Sequence, residues 1–465
     1  MAAEKKDRAG GAQAPAEVSD QAVQVVEYAA AVDVGKASGM VCTRVPGSRA
    51  DRRRQEIREV PATVPAVTGL MDRLRCEGIQ RLVLESTSDY WRIWYYLAEA
   101  AGIEVWLVNS RDLKNVPGRG KTDRIDCAWQ CKLNERGMLR RSFVPEEPVR
   151  DLRILTRTRA RLAAGQAAHR NQVEKTLEDA LVKVSSVIAD LFGASGRAFL
   201  DALVAGERSP ARLAGLGHAR LRASKAKLEE ALAGRFRDVH ATEISVHLRM
   251  IDAAQREMAM LDKEIAARIQ KIPGTAAVCT ACGTAGGGHA PGCEREDTAP
   301  RPLVQRLAAV TGIAETAAAA VIAELGTDPA TFATPGHAAA WARLTPRADQ
   351  SGSRSRPGRA GKGDPWLRRA LGTAAMAAGK TDTRLGAQYR RIARKRGKKK
   401  AIVAVSRVLC EIAWILICDP SAEYEDPGPG YWSPRSPARA TRDRIREIER
   451  LNPGKKVVLA DAEAA

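Results

Sequence analysis

The chain has 465 residues, which is enough for roughly two to four domains with a sizeable core. Lys and Arg outnumber Asp and Glu by 75 to 55, and the formal net charge is +20. An excess of this size is typical of proteins that bind a polyanion, most often nucleic acid. The alternative is a basic soluble protein with no such partner.

Three features argue against a secreted or membrane protein. Nine unevenly spaced cysteines do not form the pattern of a disulfide framework. Residues 1–26 have no apolar stretch of the kind found in a signal peptide, and we expect them to be a disordered tail. The most apolar run, 401–418, is interrupted by Arg407 and Glu411, which predicts a buried core helix rather than a membrane span. We therefore expect a cytoplasmic protein with no membrane partner.

Residues 27–145 alternate between strand and helix patterns. Apolar runs predict strands at 28–34, 39–46, 58–60, 81–87 and 103–109, and helical spacing predicts helices at 64–78, 89–102 and 122–137. Thr122 is placed as the N-cap of the last helix. Three hairpin-type strands followed by strand–helix alternation predict an α/β domain, a mixed sheet covered by helices.

The remaining chain is predicted to be mainly helical. Region 146–272 is a helical or coiled-coil linker, with an apolar stripe formed by Ile244, Leu248, Ile251, Met258, Leu261 and Ile265. This stripe fits packing within the chain and a coiled coil between two protomers equally well. Region 273–300 is a glycine-rich insertion, 301–418 is an all-α domain containing a basic loop, and 419–465 is expected to be mostly disordered.

Four acids occupy positions from which they could converge. Asp33 lies at the end of the first predicted strand and Glu85 at the end of a later one, while Asp123 and Asp126 open a helix. Residues three apart on a helix share a face. Singly, each acid is more often a surface charge or an ion-pair partner, and Lys121 and Arg124 could neutralise the helical pair. Together the four predict a site for Mg²⁺ or Mn²⁺, which prefer oxygen ligands.

The motifs around these acids resemble the DEDD transposases of the insertion-sequence 110 family. The similar segments are "AVDVGK", "LVLESTSDYW", "VNSRDLKNVPGRGKTDRIDCAWQCKL" and "MLRRSFVP", followed by "LTPRADQSGSRSRPGRAGKGDPWLRRALGTAA" and "YRRIARKRGKKKAIVAVSRVLCEIAW". The resemblance covers about 27–272 and 301–418. It implies a RuvC-like (ribonuclease-H-like) domain whose four acids are Asp33, Glu85, Asp123 and Asp126. It also implies a transposase domain with a catalytic serine.

The resemblance further implies a bacterial recombinase that acts on DNA, is directed by a structured non-coding guide RNA, and assembles as a dimer or tetramer. The family's Ser-Gly position falls on Ser351-Gly352. By residue types alone, this Ser/Gly/Arg segment fits a phosphate-binding loop as well as a nucleophile, and Ser353 and Ser355 lie close by. A serine that attacks a phosphodiester needs deprotonation and nearby cations, which Arg347, Arg354, Arg356, Arg359 and Lys362 could supply.

Other segments predict nucleic-acid and zinc binding. Residues 307–326 resemble a helix-hairpin-helix with Gly312 in its turn, a motif that binds phosphates through backbone N–H groups. The segment 390–400 is strongly basic, and Arg394, Lys395, Arg396, Lys398, Lys399 and Lys400 are candidate phosphate contacts. Cys279, Cys282, His289 and Cys293 could hold a structural Zn²⁺, or they could be unliganded thiols and an imidazole in a glycine-rich insertion.

The sequence thus predicts an insertion-sequence transposase, a DNA recombinase with a metal-bound acid site and a serine nucleophile. Two alternatives stay open. One is a metal-dependent nuclease of the Holliday-junction type without serine chemistry. The other is a basic nucleic-acid-binding protein without catalysis.

Overall fold

The computed structural model describes residues 16–19, 25–49, 52–110, 122–219, 221–276, 301–346, 348–351, 354–357, 361, 363–432 and 437–459. The chain divides into two compact units, Met1–Val144 and Pro145–Ala465.

The first unit is a mixed sheet with helices on both faces. Its strands are β1 (Ala16–Ser19), β2 (Ala29–Val34), β3 (Ser38–Pro46), β4 (Arg52–Pro61), β5 (Arg81–Glu85) and β6 (Glu104–Val108). Its described helices are α1 (Val64–Cys76), α2 (Arg92–Ala100) and α3 (Asp123–Glu135). The strand order is β1-β4-β3-β2-β5-β6. The pairs from β1 to β2 are antiparallel, whereas β2, β5 and β6 run parallel. This confirms the predicted α/β fold of a mixed sheet, which fits a RuvC-like domain.

Two apolar layers cover the two faces of this sheet. On one face, Val32 and Leu84 pack in a core cluster with Leu74 of α1 and Trp94 of α2. On the other, Ala29 and Ala31 pack against Cys127 and Cys131 of α3. Strand residues alternate between faces, so each strand contributes to both layers. The prediction for the first 26 residues is corrected at 16–19, because β1 pairs with β4 as an edge strand.

A buried ion network joins α3 to the strands. Glu135, at the end of α3, is fully buried and pairs with Arg44 of β3 (Nε–Oε2 3.0 Å) and Arg53 of β4 (Nε–Oε1 2.5 Å). Its carbonyl also accepts hydrogen bonds from the backbone N–H groups of Val25 and Val26 at 2.8 and 3.1 Å. Buried charges are costly unless they are paired, so this network fixes one end of α3 on the sheet.

Glu135→Gln is expected to destabilise the first unit by about 3 kcal/mol or more, because it leaves two buried guanidinium groups without their carboxylate. Glu104→Gln is the matched control. The side chain of Glu104 is half-exposed and pairs with Arg81 at 2.9 Å, so its loss should cost less than about 1 kcal/mol. Denaturant-dependent hydrogen exchange of peptides from β2 to β5 measures both values. Equal effects of the two substitutions would contradict the assigned role of the network.

The second unit begins with a long helical hairpin. Helices α4 (Glu147–Asp179) and α8 (Asp238–Ile269) run antiparallel, since Arg159 pairs with Asp262 near one end and Asp179 contacts His240 at 3.0 Å near the other. Between them lie α5 (Ala194–Val204), α6 (Pro210–Gly215), α7 (Lys225–Leu232) and a 3-10 turn at Val184–Ser186. Ile244, Leu248 and Ile251 of α8 share a core with Val173 and Leu177 of α4. The apolar stripe therefore packs within the chain, as one of the two interpretations predicted.

The C-terminal part of this unit is a helical core with a β-hairpin. It contains α9 (Leu303–Ala308), α10 (Glu315–Leu325), α11 (Pro335–Trp341), β7 (Ala348–Ser351), β8 (Arg354–Pro357), α12 (Pro365–Ala378), α13 (Arg384–Arg396) and α14 (Lys398–Cys418). A 3-10 turn lies at Pro329–Thr331. The prediction of an all-α domain was wrong at β7 and β8, which pair antiparallel. Their polar residues give no apolar alternation that would signal strands.

Helix α14 is the core helix that the sequence predicts. It is the one described helix that is long and apolar enough to cross a membrane by length and composition. Ala401, Val405, Leu409, Ala413 and Leu416 are buried at three- and four-residue steps, and the helix packs against α11, α12 and α13. That packing explains its apolar composition within the protein.

The expectation of a mostly disordered tail after 419 was wrong for two segments. Asp426 Oδ1 accepts hydrogen bonds from the backbone N–H groups of Arg384 (3.0 Å) and Gly428 (2.7 Å). The guanidinium of Arg384 lies 4.2 Å from the ring centroid of Tyr431, in a 3-10 turn at Pro429–Trp432. Further on, Pro437–Leu451 forms helix α15. The first segment is thus anchored to the start of α13.

Candidate active site

Asp33 and Glu85 stand side by side at one edge of the sheet. Strands β2 and β5 are parallel, and their register runs from Ala29 opposite Arg81 to Val32 opposite Leu84. The next residues along the two strands are Asp33 and Glu85. Because the carboxyl ends of parallel strands meet at the same edge, this register brings the two acids to neighbouring positions.

Both acids belong to the face of the sheet that α3 covers. Ala29 and Ala31 contact α3, and Asp33 follows at the same alternation. In β5, Val83 packs with Leu133 of α3, and Glu85 follows two residues later. Both carboxylates are half-buried. The sheet therefore directs them toward α3 rather than toward α1 and α2.

The direction of α3 brings its first turn to the same edge. The Cys127 thiol donates to the carbonyls of Met40 (2.8 Å) and Ala31 (3.4 Å), whereas Cys131 reaches Ala29 (3.4 Å), which is farther from the carboxyl end of β2. The helix thus starts near the strand ends and runs back along the sheet. Its N-cap is Thr122, as predicted, whose hydroxyl accepts from the Ile125 N–H at 3.3 Å.

Asp123 and Asp126 lie in this first turn. Asp126 is half-buried, and Asp123 and Arg124 are exposed. Acids in a first turn are favoured by the helix dipole, which gives them a structural benefit in addition to any catalytic one. Lys121 lies outside the described residues. The fold therefore delivers all four predicted acids to one edge of the sheet from three different elements.

Gln130 is a neighbour of this edge that the sequence analysis did not single out. It is buried, and its Nε2 donates to Glu85 Oε2 at 3.3 Å. Its Oε1 is buried without a hydrogen-bond partner among the described residues. Gln130 lies four residues after Asp126 on α3, so the two side chains share one face of the helix. This spacing is the sequence signal that could have identified Gln130.

The donor set fits a divalent cation, although the side chains are not gathered around one point. Within the described ranges, no group of three or more His, Cys, Asp or Glu side chains is close enough to hold a metal ion. Carboxylate oxygens and the open amide oxygen of Gln130 are the hard donors that Mg²⁺ and Mn²⁺ prefer. Asp33 affects the nearby Cys127 thiol in two opposite ways: burial raises the pKa of that thiol, a hydrogen bond with the Asp33 backbone lowers it, and the negative charge of Asp33 raises it.

Ser351 ends strand β7 and pairs with Arg354, the first residue of β8. Arg356 pairs with Asp349 in the same hairpin. Four neighbouring residues that the sequence analysis considered, Arg347, Ser353, Arg359 and Lys362, lie outside the described residues. The backbone thus places Ser351 next to the connection between the two strands, directly before Gly352.

The segment that follows the hairpin is tied to the helices at Asp364. Asp364 is the N-cap of α12, and its Oδ1 accepts from the N–H groups of Trp366 and Leu367, each at 2.8 Å. Arg157 of α4 reaches Asp364 Oδ2 at 3.4 Å. Gly363 is packed so closely that an added Cβ would lie 2.2 Å from the Ala342 carbonyl oxygen. These contacts fix the exit of the serine segment.

Arg157 also joins Asp364 to a buried acid that sequence reasoning missed. Its guanidinium forms two hydrogen bonds to Glu324 of α10, at 2.8 and 2.7 Å. Arg153 adds hydrogen bonds to the carbonyls of Ala323 (2.6 Å) and Glu324 (2.7 Å). Burial raises the pKa of the Glu324 carboxyl, and the hydrogen bonds from Arg157 oppose that rise. The pairing across 167 residues left no signal in the sequence.

The basic residues at the end of α13 and at the start of α14 are solvent-exposed. They include Arg394, Lys395 and Arg396 at the end of α13 and Lys398, Lys399 and Lys400 at the start of α14. Cations at the start of a helix oppose its dipole, so the three lysines do not serve the stability of α14. Exposure and charge make this surface suited to phosphate contacts.

The predicted helix-hairpin-helix corresponds to α9 and α10. Gly312 in their connection has a φ of 93°, which favours glycine, and an added Cβ there would lie 2.3 Å from the Ala374 carbonyl oxygen. This glycine is required by packing against α12. Glu315 lies in the first turn of α10, where its charge would oppose a phosphate. Phosphate binding at this hairpin stays a prediction, and the cluster Cys279, Cys282, His289 and Cys293 lies outside the described residues.

Comparison with known proteins gives two family matches. A model of the DEDD transposases of IS110 matches residues 30–181, the region that contains all four acids. A model described as the transposase IS116/IS110/IS902 family matches residues 304–391, the region that contains Ser351. No curated protein matches the chain. Together the two matches cover about half of the chain and follow one another in the order that the sequence resemblance implies, so the chain belongs to the IS110 family of transposases and is a DNA transposase.

Proposed function

We propose that this transposase cuts and rejoins DNA strands with a metal-dependent acid site and a serine nucleophile. The observation that carries the proposal is the register of β2 and β5, which sets Asp33 beside Glu85 on the face where α3 begins. Acids from two strands and one helix reach this one edge, and carboxylates that draw together there would repel one another unless a cation lay between them. A divalent metal at this edge offsets that repulsion.

The residues at this edge would have distinct roles in binding the metal and in positioning its ligands. Asp33, Glu85, Asp123 and Asp126 would hold Mg²⁺ or Mn²⁺, with Gln130 orienting Glu85 through its 3.3 Å hydrogen bond. A bound ion would stabilise the charge that develops on the phosphate during strand cleavage. The first turn of α3 would set the position of two of the four carboxylates, because Thr122 caps it and Glu135 anchors its other end.

Ser351 is proposed as the nucleophile. Its Oγ would attack the phosphorus of the scissile phosphodiester, forming an Oγ–P bond as a P–O bond of the DNA backbone breaks. The released DNA oxygen takes up a proton, and the reverse attack by a DNA hydroxyl frees the serine and joins the strands. Support comes from the family position of Ser351-Gly352 and from the arginines of the same hairpin, Arg354 and Arg356.

DNA is the substrate that the family implies, and a guide RNA is proposed as a second partner. The net charge of +20 and the exposed basic end of α13 and start of α14 support a large phosphate-binding surface. Assembly as a dimer or tetramer and a structural Zn²⁺ on Cys279, Cys282, His289 and Cys293 are proposals that rest on the sequence.

Replacing Lys398, Lys399 and Lys400 together with alanine is expected to make DNA binding less dependent on salt. Each phosphate contact contributes about 0.9 to the slope of log affinity against log salt, so three lost contacts would reduce it by about 2 to 3. Fluorescence anisotropy of a labelled DNA at several salt concentrations measures the slope. The control removes three exposed lysines that are spread over the unit, Lys175, Lys227 and Lys263, and should leave the slope nearly unchanged. If both triple variants behave alike, the lysines of α14 do not contact phosphates.

The function itself is tested on duplex DNA that carries the sequences flanking the gene. Cleaved and rejoined strands are expected with Mg²⁺ and none in excess EDTA. Cleaved strands that are never rejoined would identify a nuclease without serine chemistry. Binding without any cleavage in Mg²⁺ or Mn²⁺ would identify a non-catalytic DNA-binding protein.

A further inference from the structure

A cavity of about 310 Å³ lies in the second unit, bounded by α4, α8, α10 and α12. Its lining includes none of the predicted acids and lysines. Much of its wall is made of alanines, among them Ala160 on α4, Ala320 on α10 and Ala370 on α12. Small side chains on three helices leave smooth apolar surfaces. A flat, partly apolar group fits such a space better than a branched one.

Trp366 and arginines give this cavity a specific chemistry. The indole of Trp366 lines it, and the Arg161 guanidinium lies 5.1 Å from the ring centroid. Arg369, also in the lining, is exposed and donates one hydrogen bond to the Ala160 carbonyl at 3.3 Å. A guanidinium has five N–H donors, so further donors remain for a phosphate. An aromatic face beside cationic groups is the arrangement by which proteins bind unpaired nucleotides.

Two ion pairs hold the walls in place. Arg157 is bound by two hydrogen bonds to Glu324, at 2.8 and 2.7 Å, which joins α4 to α10. Arg159 Nη2 contacts Asp262 Oδ2 at 3.1 Å, which joins α4 to α8. The acids in the lining are therefore engaged with arginines. Arg369, which is exposed in the lining, and Arg161, whose guanidinium lies beside the Trp366 ring, are cationic groups that favour an anionic ligand.

We propose that this cavity, here called the Trp366 pocket, binds an unpaired nucleotide of a nucleic acid held by the transposase. The proposal rests on the nucleic-acid partners proposed above and adds a defined contact to them. A base that remains paired and stacked in a duplex cannot enter a cavity of this size, so the nucleotide must be single-stranded or extruded. The base would stack on Trp366 and its phosphate would meet Arg161 or Arg369.

Filling the pocket tests the proposal. Ala370→Leu places a larger side chain in the cavity, and Ala377→Leu makes the same change at an exposed position about two turns further along the same helix, α12, outside the cavity lining. Short single-stranded RNA and DNA oligonucleotides and a duplex of the same sequence serve as separate probes. Ala370→Leu is expected to weaken binding of at least one single-stranded probe by about tenfold, because stacking of one base is lost. Ala377→Leu should bind it as the wild type does, and neither change should alter duplex binding.

A second variant and a crosslink exclude a folding artefact. Ala320→Leu fills the same pocket from α10 and should reproduce the loss, with thermal unfolding confirming that both pocket variants are folded. A photoreactive 5-iodouracil oligonucleotide is expected to crosslink to the peptide that contains Trp366. Unchanged single-strand binding by both filled variants, or a crosslink that maps only elsewhere, would overturn the proposal. Duplex binding and strand transfer would persist in that case, which keeps this outcome distinct from failure of the proposed function.

Discussion

Asp123→Asn is expected to reduce DNA strand cleavage by about a thousandfold or more while leaving the fold and DNA affinity intact. Metal ions contribute several kcal/mol to stabilising charge in phosphoryl transfer, and each 1.36 kcal/mol corresponds to about a tenfold rate change. Asp123 is exposed in the first turn of α3, so losing its charge removes no packing. The expected defect is therefore catalytic rather than structural.

The matched control is Asp72→Asn. Asp72 is also an exposed helical aspartate, but it lies on α1, whose apolar residues pack on the opposite face of the sheet. Cleavage by this variant should equal that of the wild type. A Mg²⁺ titration of cleavage rate distinguishes weaker metal binding from a lost catalytic step. If Asp123→Asn cleaves as fast as Asp72→Asn at every Mg²⁺ concentration, Asp123 is not part of a metal site.

Ser351→Ala is expected to lose the whole covalent protein–DNA adduct while still binding DNA. Alanine removes the oxygen that would form the bond to phosphorus, and no neighbouring group restores it at the same position. Ser353→Ala and Ser355→Ala are the matched controls within the same segment. Each of those serines is followed by arginine rather than glycine, which fits a phosphate contact, so each variant should lose only part of the rate.

Denaturing gels of a suicide DNA substrate incubated with each variant measure the adduct, and anisotropy measures DNA binding. In the protein without bound DNA, Ser351 should not react with phosphate esters, because a serine hydroxyl needs a group that takes its proton. A Ser351→Ala protein that still forms adduct at the wild-type level would refute the assignment. Loss of adduct by Ser355→Ala alone would move the nucleophile to that residue.

The sheet of the first unit was largely predictable, because its strands are short apolar runs that end in recognisable ways. Residues 28–34 and 39–46 were predicted as strands and correspond to β2 and β3. Asp33 and Glu85 were found by their position at strand ends, and Asp123 and Asp126 by their position at the start of a helix, which are local signals. Strand β4 was predicted only as 58–60, although it spans Arg52–Pro61, because its charged residues conceal the alternation.

Contacts between distant segments could not be predicted from one sequence. Arg157 and Glu324 are far apart in the chain, and neither stands out where it occurs. The start of α12 is a partial exception. Asp364 followed by Pro365 is a local signal for an N-cap and first helical residue, and it would have placed the end of the serine segment.

Two errors share one physical cause. The tail after 419 was expected to be disordered because of its Pro, Gly and charged residues, yet the Asp426 carboxylate holds it to α13 by accepting a hydrogen bond from the Arg384 N–H. Strands β7 and β8 were expected to be a loop, yet their backbones pair. In both cases hydrogen bonds donated by main-chain N–H groups, which composition does not report, determine the structure.

The most direct test of the proposed chemistry is to map the covalent adduct on the wild-type protein. A suicide DNA substrate is incubated with the transposase in Mg²⁺ and in excess EDTA, and the modified peptide is identified by mass spectrometry. The proposed mechanism predicts an adduct on Ser351 in Mg²⁺ and none in EDTA. An adduct on another residue, an adduct that forms equally in EDTA, or cleaved DNA without any adduct would contradict it.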